Sequence, residues 1–157
     1  MTIEVPSLLI TDDDWAFRET LCGVLEPQGY RTLLAGDGEE ALDIVKSREV
    51  HLALLDMHMP KLTGLETLRL VKQFKAILPC IILSAQVDEA LIEQARQAHA
   101  FSVLPKLVAS SQIVRSVRLA LEWTYNWKGW ESGSERIRSC PVPRPHEPGT
   151  TGGDLPT

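Results

Sequence analysis

Leu8-Leu9-Ile10-Thr11-Asp12-Asp13-Asp14 is a short apolar run that ends in three consecutive acids. A run of this kind reads as a strand buried on both faces. In an α/β sheet the polar residues that follow it stand at the carboxyl end, where ligands bind. The pattern recurs along the chain as Leu54-Leu55-Asp56, Leu83-Ser84 and Leu104-Pro105-Lys106. Carboxylates from the first and third runs would then meet on one edge of the sheet. Their repulsion in a partly dry crevice calls for a compensating cation, and hard oxygen donors suit a divalent ion such as Mg²⁺. Lys106 and Ser84 add a point charge and a hydroxyl, the donors that a phosphate group needs.

Strands are expected at Ser7 to Thr11, Tyr30 to Ala35, His51 to Leu55, Cys80 to Leu83 and Ser102 to Leu104. Between them, Phe17, Leu21 and Val24 recur at helical spacing, as do Ala41, Ile44 and Val45, and then Leu65, Leu68 and Val71. Pro27-Gln28-Gly29 stops the first helix, and Gly36-Asp37-Gly38 opens the second. Further helices are expected at Gly64 to Lys75, Asp88 to Ala98 and Ser110 to about Trp127. Five strand–helix alternations with short connections give a doubly wound, five-stranded parallel sheet in the flavodoxin-like order 2-1-3-4-5. That order sets strands one and three side by side, as the acids require.

The 157 residues, 44% apolar, suffice for one domain with a tail. The expected division is a domain over 1–127 and a flexible tail over 128–157, where Pro and Gly dominate and periodicity vanishes. The net charge of −5 lies wholly before Asn126, which disfavours direct nucleic-acid binding. No apolar stretch has membrane-spanning length, and the first residues lack a basic, then apolar, leader. Cys22, Cys80 and Cys140 show no metal-ligand pairing, which suits a reducing, cytoplasmic setting.

Thr11-Asp12-Asp13-Asp14, Asp56-Met57-His58-Met59-Pro60 with Gly64, Ser84-Ala85 and Lys106 resemble, in order and interval, the receiver domain of two-component response regulators. The resemblance covers about residues 6 to 125. It implies that Asp56 is a phosphoacceptor and that Asp12, Asp13, Asp56 and the main-chain carbonyl of His58 hold Mg²⁺. Ser84, the Ala85 amide and Lys106 would bind the phosphoryl oxygens. The implied donor is a histidine kinase or phosphotransfer protein, and the implied output is contact with a downstream protein. His58 and Gln86 occupy positions similar to those that tune phosphate lifetime in the family.

Two positions depart from the family pattern. Leu107 replaces the proline that usually follows the lysine, and Val103 replaces an aromatic switch residue. The second departure removes the ring that couples the serine to the surface. Two other readings remain beside the receiver: a scaffold that works without phosphorylation, and a small phosphohydrolase using Asp56 as nucleophile. The second lacks an acid two residues beyond Asp56 to activate water. Trp123, Trp127 and Trp130 would share a face if the last helix ran that far, either packed on the domain or offered to a partner.

Overall fold

The computed structural model describes residues 3–127. Ten elements alternate: β1 Ser7–Thr11, α1 Trp15–Leu25, β2 Arg31–Ala35, α2 Gly38–Ser47, β3 Leu52–Asp56, α3 Gly64–Phe74, β4 Cys80–Ser84, α4 Glu89–Gln97, β5 Ser102–Pro105 and α5 Ser110–Tyr125. A single helical turn, Glu26–Gln28, follows α1 and ends at Gly29, whose φ of 100° is left-handed. All five strands are parallel, in the order β2-β1-β3-β4-β5, as the alternation predicts.

The two-residue period of the strands sorts their side chains between two apolar layers. Leu8, Ile10, Leu52, Leu54, Ile81 and Leu83 face α1 and α5, where they meet Leu21, Leu25, Ile113, Val117 and Leu121. The intervening Leu9, Ala53, Leu55, Cys80 and Ile82 face the other side and meet Ala41, Val45, Leu65, Leu68, Val71, Leu91 and Ala95. Strands buried on both faces must read as unbroken apolar runs, which is why β1, β3 and β4 were plain in the sequence.

Side-chain caps mark the starts of α1 to α4, whereas α5 begins after Ala109 without one. Asp14, Asp37 and Asp88 accept hydrogen bonds from main-chain N–H groups at the starts of α1, α2 and α4. Thr63 and Glu66 form a reciprocal capping box on α3.

The last helix starts at Ser110 and closes within two residues of the expected end. It ends at Tyr125, because Asn126 adopts a left-handed φ of 58° and Trp127 turns away. Trp127 donates its indole N–H to the Ile3 carbonyl at 2.8 Å, and its ring lies 5.7 Å from that of Tyr30. The condition for a face shared by Trp123 and Trp127 is therefore not met, since the helix ends before Trp127. Trp130, Cys140 and the tail expected over 128–157 lie outside the described residues.

Candidate functional site

β1 and β3 are adjacent and end level with each other, so Asp12, Asp13 and Asp56 arrive together at the carboxyl edge of the sheet. One oxygen from each of the three carboxylates lies within 4.8 Å of the others. Asp12 and Asp56 are buried, at 1% and 2% exposure, whereas Asp13 is open to solvent. Three hard oxygen donors, two inside and one at the rim, fit a divalent cation better than a soft or nitrogen-loving metal.

The loop after β1 is locally fixed. The second oxygen of that loop's first acid is left for the site, because Asp12 Oδ1 accepts from the Asp14 amide at 2.8 Å. Arg18 donates to the Asp12 carbonyl at 3.2 Å. The loop after β3 is equally constrained. Gly64 packs so close that a Cβ there would sit 2.6 Å from the Asp56 carbonyl oxygen and 2.8 Å from Met57 Cα. Lys61, at a φ of 71°, reaches Asp37 and Glu39 across the loop at 3.4 and 3.5 Å.

Lys106 follows β5 and directs its ammonium into the acids, 2.8 Å from Asp12 Oδ2 and 3.4 Å from Asp56 Oδ2. Its main-chain N–H donates to the Ser84 carbonyl at 2.7 Å. Among the described residues no peptide bond is cis, so the Lys106–Leu107 link is trans. Leu107, where the resemblance leads one to expect proline, is 94% exposed.

One ammonium among three carboxylates leaves the site negative. Burial, and after it the charge of Asp12, push the Asp56 carboxyl up to about 6, although Lys106 and a main-chain hydrogen bond from His58 oppose the rise. Burial works against the charge on Lys106, but its contacts with Asp12 and then Asp56 outweigh this and raise its pKa.

Ser84 ends β4 and is fully buried beside these groups. Its hydroxyl donates to the Gln86 carbonyl at 2.8 Å and accepts from the Gln86 amide at 3.2 Å, closing a tight turn in its own loop. Ala85, Gln86 and His58 are exposed at the same edge. Val103 is only partly buried on β5 and packs against the layer of α2, α3 and α4.

Sequence reasoning gave Phe17 only a place on a helix. In the fold, the Lys106 ammonium lies over its ring, 4.8 Å from the centroid. The sole sequence signal was its position one turn after the acids.

The sequence model of the response regulator receiver domain matches residues 8–118. Response regulator MprA of Mycolicibacterium vanbaalenii is 36% identical over 117 residues, covering 74% of this chain and 51% of that protein. Response regulator RR06 of Streptococcus pneumoniae is 30% identical over 119 residues, covering 76% and 54%. The chain thus spans about half the length of these relatives. Among solved structures, a CheY-like receiver domain protein from Methanospirillum hungatei superposes with a TM-score of 0.75 at 22% identity, covering 78% of this chain and 98% of that one. A CheX-CheY-BeF3-Mg²⁺ complex from Borrelia burgdorferi gives 0.70 at 25% identity, with 73% and 87% covered.

Proposed function

We propose, from the premise that this chain belongs to the response regulator receiver domain family, that it accepts a phosphoryl group on Asp56 and signals through protein contacts. Response regulators act with histidine kinases, so the donor is a histidine kinase or a phosphotransfer protein. The observation that carries this reading is the convergence of Asp12, Asp13 and Asp56 within 4.8 Å, with the Lys106 ammonium 3.4 Å from the Asp56 carboxylate.

Phosphoryl transfer needs little covalent help and much charge neutralisation and alignment. Asp56 is the nucleophile: burial removes water that would compete for its oxygens, and its placement at a strand end fixes its direction of approach. Lys106 offsets charge on the incoming phosphoryl oxygens. Ser84 donates its hydroxyl after release from Gln86, and the Ala85 amide stands beside it. Asp12, Asp13, Asp56 and the His58 carbonyl would hold Mg²⁺, which when bound supplies the positive charge that the three carboxylates and the phosphoryl group lack. The B. burgdorferi relative was solved with Mg²⁺ and BeF3, which supports the same chemistry here.

Among the described residues no helix is long and apolar enough to cross a membrane, and the proposed setting is the cytoplasm, beside the kinase. The proposed unit is residues 1–127, with 128–157 a separable tail. Incubation with acetyl phosphate and Mg²⁺ followed by intact mass tests the central claim. Wild type is expected to gain one phosphoryl group and Asp56→Asn none; a wild type that stays unmodified would leave the phosphorylation-independent scaffold as the better reading.

A further inference from the structure

We propose that Phe17 is a positioning residue for Lys106: its ring seats the ammonium beside Asp12 and Asp56, so that the charge is in place before the phosphoryl group arrives. The inference rests on the reading of Asp56 as phosphoacceptor. A lysine stem has four rotatable bonds and loses considerable freedom when its end is fixed. Here the Lys106 side chain keeps 20% exposure, which leaves it a route to solvent. Leu107 gives it no support, being 94% exposed.

The ring gives the ammonium a partner that counters this freedom. The ammonium lies 4.8 Å from the Phe17 centroid, inside the range of cation–π attraction. Phe17 is itself held from two directions. Its main-chain N–H donates to the capping Asp14 carboxylate at 3.3 Å, and its side chain packs on the apolar layer under α1 and α5. The acid run after β1 therefore supplies two site carboxylates and, through its third acid, fixes the helix turn that presents the ring.

In phosphorylation by acetyl phosphate, an Asp56 carboxylate oxygen forms a bond to phosphorus as the bond from phosphorus to the acetate oxygen breaks. Acetate leaves with the electron pair. Lys106 keeps its protons throughout and acts only by charge and position.

The test measures phosphorylation rates, by intact mass at fixed acetyl phosphate and Mg²⁺, in Phe17→Leu, Phe17→Tyr, Lys106→Met and the Phe17→Leu/Lys106→Met double variant. Phe17→Leu is expected to slow the reaction about three- to tenfold, whereas Phe17→Tyr, which keeps the ring, stays within about twofold of wild type. In the Lys106→Met background the Leu change should have no further effect, because the ring then has no ammonium to seat. A purely structural Phe17 would give equal losses in both backgrounds, and that result overturns the proposal. Should Phe17→Leu fail to fold, Phe17→Met takes its place.

Proton NMR supplies a second readout that needs no phosphodonor. The Lys106 ε-methylene protons should lie upfield in wild type through the ring current and move back in Phe17→Leu. Absence of that upfield position in wild type overturns the Phe17 proposal alone. A present upfield position with no mass gain in wild type overturns the phosphoacceptor reading, and the proposed role of Phe17 falls with it while the contact stands.

Discussion

The Asp56 carboxyl is unfavourable as an anion in the metal-free fold, since burial and Asp12 raise it from 3.8 to about 6. The folded form therefore holds a proton that the unfolded chain releases at lower pH. Stability from this group is complete below about pH 3.8, falls as pH rises through about 6, and is absent above that, a difference on the order of 2–3 kcal/mol. Asp56→Asn should consequently stabilise the metal-free protein at pH 7.5 and lose that advantage near pH 4, as chemical denaturation at both pH values would measure. Mg²⁺ should narrow the gap at neutral pH by raising wild type more than the variant, which keeps Asp12 and Asp13 but lacks the third carboxylate. The convergence of Asp12, Asp13, Asp56 and Lys106 was legible in the sequence because each stands at the end of an apolar run, and strand ends in a parallel sheet share one edge. A backbone-bonded hydroxyl is the common state of a serine at such a turn, as Ser84 shows with Gln86. The ring beneath Lys106 was not legible, because it depends on rotamers, which spacing does not encode.

At the level of elements, the start of α3 is the least tolerant point near the site. A methyl at residue 64 would meet main-chain atoms of Asp56 and Met57 at 2.6 to 3.0 Å, and a main chain cannot swing aside as a flexible side chain can. Gly64→Ala is expected to cost about 2 kcal/mol or more in equilibrium unfolding and to displace the loop that carries His58, seen as amide shifts at Met57 to Leu62. Strands and most helices were readable because their apolar periods are unambiguous, and Asp14, Asp37, Thr63 and Asp88 announce their caps. The end of α5 was readable to about two residues. Asn126 takes the left-handed φ that stops the helix, and tertiary contacts hold the turn: the Tyr125 hydroxyl donates to the His51 carbonyl at 2.8 Å, and Trp127 bonds to Ile3.

Across the whole molecule, the acids and Lys106 occupy one pole, and Ile3, Tyr30, His51, Tyr125 and Trp127 close the other. His51 is buried there, with Nδ1 accepting the Ser7 main-chain N–H at 2.9 Å. A chain ending at residue 127 should unfold cooperatively with the stability of the full chain, whereas one ending at Asn126 forfeits the indole contacts and should lose about 1–3 kcal/mol by urea denaturation. Equal stability of the two would show that Trp127 adds nothing. The hydrogen bond between Trp127 and Ile3 has a further consequence, for it joins positions 124 apart in sequence. The described backbone is thereby almost a ring whose seam lies opposite the acids. A short splice across that seam would allow circular permutation, with new termini cut into an exposed connection elsewhere and the carboxylate edge left as it is.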